Sequence, residues 1–271
     1  MIKKQLLCCS AVLVLVLLSK LYSYHEAASA EAPNALLRDS LFQGISLPDD
    51  IDGIRNTPYF ASLNFADESL PLGDKQIERK MMRYLKEYSY AKRRSHVLHH
   101  KALHALPRVA AILRKHGVPE DFKYIPLVES GFASGTTSHR GASGYWQFMP
   151  STAKAFGLRV DSVVDERQDI ERSTIAAAKY LKSLYREFNS WTLVAAAFNI
   201  GEGNLQRAIN RQREDNYFRL KLNRETNSYV YKLISVKEII EHPDKHGYLR
   251  NRTLLADAAT AEKAQEEQQK L

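Results

Sequence analysis

Residues 144–150 read Gly-Tyr-Trp-Gln-Phe-Met-Pro, which places three aromatic side chains and an amide between a glycine and a proline. Glycine lets a backbone come close to a neighbouring group, and aromatic faces beside an amide are typical of a ligand-binding wall. Aromatic residues in such a run also commonly belong to a core. The run alone therefore does not decide between a core segment and the wall of a cleft.

One carboxylate stands shortly upstream of this run. Glu129 follows the apolar residues 125–128 and precedes Ser130 and Gly131. An apolar surrounding disfavours the charged carboxylate and raises its pKa, as a general acid working near neutral pH requires. A glutamate in this setting also often lies exposed at a helix end, so its role depends on what surrounds it.

The flanking sequence has a helical pattern. Apolar side chains recur at the spacing of one helix face in two segments: Ile77, Met81, Tyr84, Leu85 and Tyr88 in the first, and Leu103, Leu106, Val109, Ala110 and Leu113 in the second. Asp169 predicts the cap of a helix that runs to about Phe188, and Ser190 that of a helix to Asn199. No stretch alternates with period two for long, so we expect a mainly α fold with little or no sheet.

The chain has 271 residues, a formal net charge of +8, and cysteines only at Cys8 and Cys9. Disulfides, zinc–thiolate sites and a cysteine nucleophile are therefore excluded from everything after Cys9. Lys3 and Lys4, an apolar run over residues 6–18 and small residues at 28–30 together predict an export signal or an N-terminal membrane anchor over residues 1–30. Both forms place the remainder in the periplasm or cell envelope, and an uncleaved segment would attach it to the inner membrane.

Three further segments follow from the composition. Residues 31–75 are rich in proline and glycine without lasting periodicity, which predicts an irregular linker or wrapping arm with few core residues. Residues 76–245 carry the helical pattern and form the predicted main domain. Residues 246–271 are expected to be a polar C-terminal tail, because the end of the chain is rich in alanine, glutamate and glutamine.

Four motifs in order along the chain resemble the family 1 lytic transglycosylases, and among them most closely the membrane-bound lytic murein transglycosylase D group. They are Glu129-Ser130, residues 144–150, the segment 196–203 (Ala-Ala-Phe-Asn-Ile-Gly-Glu-Gly), and Glu225-Thr226 with Tyr229-Val230. Four ordered motifs are much harder to match by chance than one. The resemblance covers residues 76–240 and implies a domain similar to goose-type lysozyme.

The resemblance also implies roles for individual residues. Glu129 matches the sole catalytic acid and base, and Ser138 matches a hydroxyl that hydrogen-bonds it. Substrate-binding positions are matched by Gln147, Met149, Phe198, Asn199 and Tyr229. Two positions depart from the family pattern: Phe198 replaces a tyrosine, so a phenolic hydroxyl is absent, and Tyr145 replaces a leucine.

The implied reaction is cleavage of the β-1,4 bond between N-acetylmuramic acid and N-acetylglucosamine in peptidoglycan. Glu129 would protonate the glycosidic oxygen, and its carboxylate would then take the proton from the muramoyl C6 hydroxyl, which closes a 1,6-anhydro ring. One carboxylate suffices, because the substrate's N-acetyl group stands in for the second. We expect a monomer with no cofactor and no metal, acting on glycan strands and not on nucleic acid.

Two other functions stay open at this stage. A hydrolytic, lysozyme-type muramidase on the same fold would need a second carboxylate, and Glu202 would qualify if it lay within about 5.5 Å of Glu129. We expect Glu202 instead to cap or tether its own loop. A non-catalytic peptidoglycan-binding protein is the third alternative. Asp165, Glu166 and Asp169 lack the pattern of a calcium loop and are interpreted as a salt-bridged start of a helix.

His96, His100 and His104 stand one helical turn apart, with His99 beside them. Such spacing permits metal binding, yet no acidic partner is nearby in the sequence. We therefore interpret these histidines as part of a polar basic face that continues the cations at 92–94. Those cations would be suited to the anionic lactyl-peptide groups of murein.

Overall fold

The computed structural model describes residues 58–93 and 96–248. The predicted export signal or anchor (1–30), the first part of the arm (31–57) and the tail beyond residue 248 lie outside the described residues. Among the described helices, none is both long enough and apolar enough to cross a bilayer.

The described residues are mainly helical, which confirms the predicted fold class. The two strands have two residues each and pair antiparallel, with Asn64 opposite Ser69 and Phe65 opposite Glu68. In chain order the elements are α1 (Pro58–Ser62), β1 (Asn64–Phe65), β2 (Glu68–Ser69), α2 (Lys75–Tyr88), α3 (Tyr90–Arg93), α4 (Val97–Lys115), a 3-10 helix (Glu120–Tyr124), α5 (Ile125–Glu129), α6 (Pro150–Ala155), a 3-10 helix (Glu166–Gln168), α7 (Ile170–Phe188), α8 (Trp191–Ile200), α9 (Glu202–Gln212), α10 (Thr226–Glu241) and a 3-10 helix (Pro243–His246).

The helix starts follow the predicted capping residues. Asp169 accepts hydrogen bonds from the backbone N–H groups at the start of α7, and Ser190 accepts one from Leu193 at the start of α8. Both side chains satisfy donors that a helix leaves unpaired at its first turn. The local sequence is therefore sufficient to place these two helices.

Helix α4 buries four of the five residues predicted to face the core. Leu106 and Leu113 are buried as expected, but Leu103 is 58% exposed while Ala102 is 3% exposed. The buried positions follow Ala102, Leu106, Val109 and Leu113 at the spacing of one face, and Leu103 lies about 100° around the helix from Ala102. The prediction that Leu103 faces the core is wrong.

The core is built around α8 and α10. Helix α8 packs against α7, α9 and α10, and α10 also packs against α2 and α5. Alanines 195–197 are fully buried, which lets the neighbouring helices approach α8 closely. Asn199 lies at the end of α8 and Tyr229 near the start of α10. The two core helices therefore carry two of the predicted substrate-binding residues.

The arm contributes more to the core than the sequence predicts. Phe60, Leu63, Phe65 and Leu70 are each at most 3% exposed, and the Phe65 ring meets that of Phe122 at 5.0 Å between centroids. The expectation of few core residues in 31–75 is therefore wrong for its described part. An irregular segment shows no periodicity, because its side chains reach the core from turns instead of from one face.

Polar contacts also hold the arm in place. The carboxylate of Glu68 accepts hydrogen bonds from the backbone N–H of Trp191, from the backbone N–H of Thr192 at 3.0 Å, and from the hydroxyls of Thr192 and Ser190 at 2.6 and 2.9 Å. It thus caps α8 from a distant part of the chain, where a negative charge is favourable.

The histidine face is only partly polar. His99 is buried, and its Nε2 lies 3.0 Å from the carbonyl oxygen of Ile239. Its ring contacts that of Tyr248 at 4.1 Å between centroids, with the two planes tilted by 40°. Within the described ranges, no three histidine, cysteine or acidic side chains are placed to share a metal ion. The interpretation as a solvated face is wrong for His99, because the chain after α10 returns to cover it.

The segment after α10 also shifts the C-terminal boundary of the folded domain. His246 is 3% exposed beside Glu238, and Tyr248 is 1% exposed and donates a hydrogen bond to the carbonyl oxygen of Tyr88 at 2.7 Å. The predicted polar tail therefore begins too early at residue 246, since the folded part includes Tyr248.

Substituting Glu68→Gln should lower the free energy of unfolding by about 2 kcal/mol, because a charged acceptor is lost at the start of α8 and an amide N–H₂ is placed against N–H donors. Urea denaturation followed by far-UV circular dichroism measures this. Asp67→Asn removes the same charge from the exposed neighbouring residue and should change stability little. Equal effects of the two substitutions would contradict the capping role.

Candidate active site

The site is centred on Glu129, the last residue of the short helix α5. Ile125, Pro126 and Leu127 of this helix are buried, so the half-buried carboxyl group emerges from an apolar base. Burial raises the pKa of Glu129 from its ordinary value of 4.5 to about 7, and the nearby charge of Glu225 adds to the rise. At neutral pH this carboxyl group can therefore both hold and release a proton.

Tyr229 lies directly beside the carboxyl group. Its hydroxyl donates a hydrogen bond of 2.5 Å to Oε1 of Glu129 from the first turn of α10. Burial, and then the charge of Glu129, raise the pKa of Tyr229 well above its ordinary value, so the phenol stays neutral and acts as a donor. This hydrogen bond favours the charged carboxylate and partly offsets the effect of burial on the pKa of Glu129.

Ser138 does not make the predicted contact. Its hydroxyl oxygen accepts a hydrogen bond from the backbone N–H of Ala142 at 3.0 Å, and its own backbone N–H donates to the carbonyl oxygen of Ala142 at 2.8 Å. Among the described residues, no hydrogen bond joins Ser138 to Glu129. The structure does not show the predicted bond, and the hydroxyl of Ser138 instead accepts a hydrogen bond within its own turn.

Gln147 holds the same loop together. It has a positive φ of 49°, and its Nε2 donates to the carbonyl oxygens of Thr136 at 3.0 Å and Gly144 at 2.9 Å. Within the described part of the chain its Oε1 accepts no hydrogen bond, so this oxygen is available to a ligand. Met149, two residues further on, is 41% exposed.

Arg167 is a residue of this site that sequence analysis missed. It is only 7% exposed, and its guanidinium donates to the carbonyl oxygens of Gly141 at 2.8 Å and Phe148 at 2.9 Å, while Asp165 pairs with it at 2.7 Å. The predicted salt bridge is therefore present, but it lies inside the loop, where the guanidinium joins the backbone at Gly141 to that at Phe148. The only hint in the sequence is a cation set among acidic residues.

The loop also passes very close to Arg167. Gly144 has a φ of 75°, and a Cβ atom at this position would lie 2.0 Å from the carbonyl oxygen of Arg167. Only glycine fits there. The fold thereby fixes the start of the motif 144–150, in which Trp146 is fully buried and donates a hydrogen bond to Thr174 at 3.0 Å. The aromatic run serves the core at Trp146 and Phe148, while Tyr145 and Gln147 are half-buried.

Phe198 and Asn199 lie at the end of α8. The half-buried ring of Phe198 contacts Trp146, Phe148 and Tyr180 at centroid distances of 6.1, 5.8 and 5.7 Å. The phenol missing at position 198 is not replaced by that of Tyr180, because the Tyr180 hydroxyl donates to Oε2 of Glu202 at 2.8 Å.

Asn199 joins α8 to α10. Its Oδ1 accepts a hydrogen bond from the hydroxyl of Thr226 at 2.7 Å, and its Nδ2 donates to Oε1 of Glu225 at 3.2 Å. Glu225 and Thr226 thus belong to the site, although the sequence indicates them only as part of a family motif. The carboxylate whose charge raises the pKa of Glu129 is that of Glu225. Glu202 is instead held by the hydroxyl of Tyr180, in line with the expected tethering role.

Comparison with known proteins relates this site to one family. Residues 109–220 match the family model described as "Transglycosylase SLT domain". The chain is 31% identical over 194 residues to the membrane-bound lytic murein transglycosylase D of Escherichia coli strain K12, which covers 68% of this chain and 41% of the relative. The chain thus spans about two fifths of the length of that curated relative.

Two further proteins are similar over shorter stretches. The peptidoglycan transglycosylase gp16 of Escherichia phage T7 is 42% identical over 93 residues, which is 33% of this chain and 7% of the phage protein. The crystal structure of the 70 kDa soluble lytic transglycosylase from Escherichia coli is 21% identical, with a TM-score of 0.40 over 53% of this chain and 26% of that chain.

Gly144→Ala should destabilise the fold by about 2 to 4 kcal/mol, because the new Cβ both strains a left-handed backbone and collides with Arg167. Gly141→Ala is the matched control. Its φ is 85° but its Cβ would meet nothing within 4 Å, so only the strain of about 1 kcal/mol applies. Chemical denaturation of both variants measures the difference, and equal losses would contradict the close approach to Arg167.

Proposed function

We propose that this chain is a peptidoglycan lytic transglycosylase, because residues 109–220 match the transglycosylase SLT domain model. The observation that carries the proposal is the half-buried Glu129, whose pKa is raised to about 7 and whose carboxyl group is held by Tyr229. A group that titrates near neutral pH is suited to serve first as an acid and then as a base.

In the proposed reaction, the protonated carboxyl group of Glu129 donates its proton to the glycosidic oxygen between N-acetylmuramic acid and N-acetylglucosamine. The bond to the muramoyl C1 breaks, and the substrate's N-acetyl group stabilises the positive charge that develops there. The carboxylate of Glu129 then removes the proton from the C6 hydroxyl. The C6 oxygen bonds to C1 and forms a 1,6-anhydro ring, and Glu129 is again protonated.

Tyr229 has a defined part in this cycle. Its neutral phenol donates to the carboxylate that remains after the first step, and thereby keeps the pKa of Glu129 from rising further. Burial has the opposite effect, because it raises the pKa of Glu129. The two effects together hold the pKa of Glu129 close to the pH at which it must exchange a proton in both directions.

The remaining predicted residues are assigned to the wall of the cleft. The free Oε1 of Gln147, the exposed side chain of Met149 and the ring of Phe198 would contact sugar, and Asn199 would act together with Glu225. The loop that carries Ser138 would form part of the same wall. Water must be kept from C1 for the C6 hydroxyl to react in its place, and apolar groups such as Phe198 and Met149 favour that exclusion.

The proposed place of action is the cell envelope. Residues 1–30 would direct the chain there as a signal or anchor, residues 58–248 would form the catalytic domain, and the described residues before the SLT match would belong to that domain. Similarity to a membrane-bound murein transglycosylase supports this location.

Purified full-length protein should release muropeptides from sacculi that carry 1,6-anhydro ends and weigh one water less than hydrolytic products, as measured by mass spectrometry. Glu129→Gln should lower the rate about 10²- to 10⁴-fold, because the proton donor is lost. Glu241→Gln is the matched control, since Glu241 also accepts a tyrosine hydrogen bond, from Tyr124 at 2.8 Å, at the far end of α10. Products with reducing ends would indicate a hydrolase, and binding without cleavage a non-catalytic protein.

The rate should fall as the pH rises through about 7, because the first step needs protonated Glu129. Tyr229→Phe removes a hydrogen bond to the charged form, so the pKa of Glu129 should rise and the midpoint of this alkaline limb should move to higher pH. Initial rates on sacculi across pH 5 to 9 measure it. Tyr124→Phe removes the comparable bond to Glu241 and should leave the midpoint in place. A midpoint that moved down in Tyr229→Phe would refute the assignment.

A further inference from the structure

The start of α10 carries three residues of the site. Glu225 and Thr226 contact Asn199, and Tyr229 holds the carboxyl group of Glu129. The hydrogen bond from Tyr229 is 2.5 Å long, so even a small displacement of this turn would weaken it. The contacts that fix the first turn of α10 therefore also fix the environment of the catalytic carboxyl group.

The hydroxyl of Tyr217 lies against the backbone of this turn. It donates a hydrogen bond to the carbonyl oxygen of Thr226 at 2.7 Å and accepts one from the backbone N–H of Val230 at 3.2 Å. These two backbone groups are four residues apart, and an α-helix bonds such a pair directly to each other. A side chain that enters this pairing is a known cause of a local bend in a helix. Tyr229 lies within the turn that the hydroxyl bridges.

Tyr217 is well placed to set the course of that turn. Its side chain is 1% exposed, and its ring meets those of Phe218 and Tyr231 at centroid distances of 5.2 and 6.2 Å. Asn216 closes a turn around it, because its Oδ1 accepts a hydrogen bond from the backbone N–H of Phe218 at 2.9 Å. Burial raises the pKa of Tyr217. The phenol therefore stays neutral and keeps the proton that it donates to Thr226.

Two other side chains hold the same turn. Lys80 of α2 donates to the backbone oxygen and Oδ1 of Asn227 at 2.6 and 2.7 Å, and Oδ1 of Asn223 accepts from the backbone N–H of Thr226 at 2.9 Å. The turn would therefore stay attached without the hydroxyl of Tyr217. The two backbone groups that this hydroxyl bridges could then bond to each other, as in an ordinary helix.

We propose that Tyr217 is a positioning residue of the reaction, whose hydroxyl sets the course of the first turn of α10 and thereby holds the phenol of Tyr229 at the carboxyl group of Glu129. Its effect on the reaction rate rests on the proposed function, whereas its effect on the titration of Glu129 does not. Sequence analysis did not find Tyr217, because it lies between two of the family motifs.

Tyr217→Phe removes only the hydroxyl. The pKa of Glu129 should rise by about half a pH unit, because a weaker bond from Tyr229 favours the charged carboxylate less. The measurement is a ¹³C NMR titration of the Glu129 carboxyl carbon in the full-length protein, with the signal assigned by its absence in Glu129→Gln. On sacculi, kcat should fall about tenfold with a smaller change in KM. The melting temperature should change by no more than about 4 °C.

Tyr231→Phe is the matched control, because it removes a hydroxyl from a neighbouring buried ring. Within the described ranges that hydroxyl makes no hydrogen bond, so the pKa of Glu129 and kcat should stay at their wild-type values. In a Tyr229→Phe background, Tyr217→Phe should cause no further rise of the pKa, because the side chain through which it acts is already altered.

Three results would overturn the proposal. Equal shifts in Tyr217→Phe and Tyr231→Phe would assign the effect to the loss of any buried hydroxyl. A shift that persists in the Tyr229→Phe background would mean that Tyr217 acts on Glu129 by another route. An unfolded Tyr217→Phe protein would mean that the hydroxyl serves the fold. Failure of the wild type to cleave sacculi would instead refute the proposed function, and the titration of Glu129 would still decide the role of Tyr217.

Discussion

The 2.5 Å hydrogen bond from Tyr229 to Glu129 is the contact on which the arrangement of the site depends. It joins a helix of five residues to a helix of sixteen, and a helix as short as α5 has little stability of its own. Helix α10 is buried along most of its length, so it provides a fixed support for the carboxyl group. The phenol also offsets part of the cost of burying that group, which is why the pKa of Glu129 is raised to about 7 and no further.

A second constraint lies in the loop between α5 and α6. This loop has almost no regular structure, and it is shaped by a buried cation that it surrounds. Burying a guanidinium is costly unless its donors are satisfied, and Arg167 meets this condition through Asp165 and two loop carbonyls. The clamp and the glycine at 144 hold Gln147 in a left-handed conformation that a longer or looser loop would not maintain.

Local signals in the sequence were enough to place the starts of α7 and α8, whereas long-range contacts gave no such signal. The caps at Asp169 and Ser190 act on residues two or three positions away, so the sequence predicts where α7 and α8 begin. Tyr229 and Glu129 are 100 positions apart, and Arg167 and Gly141 are 26 apart. Only the resemblance to a family placed Tyr229 near the acid, and the same resemblance failed for Ser138, whose hydroxyl bonds within its own turn. The acidic residues around Arg167 are the only hint of its role, and they do not reveal that it is buried, because a buried and an exposed arginine look the same in a sequence.

The folded unit is larger than the segment that matches the SLT family, and helix α8 gives the reason. Its first turn is capped by Glu68, which lies before that segment, and Asn199 near its other end is held by Thr226, which lies after it. The matched segment 109–220 therefore contains Glu129 and the Ser190 cap of α8, but it lacks both Glu68, which adds acceptors at the start of α8, and Tyr229, which holds the carboxyl group. Because α8 receives hydrogen bonds at both ends from residues outside the segment, the arm and α10 are part of the same cooperative structure. Removing either one would expose unpaired donors and apolar surface next to the site, so the domain that can be expected to fold around Glu129 is the one that extends from the arm to Tyr248.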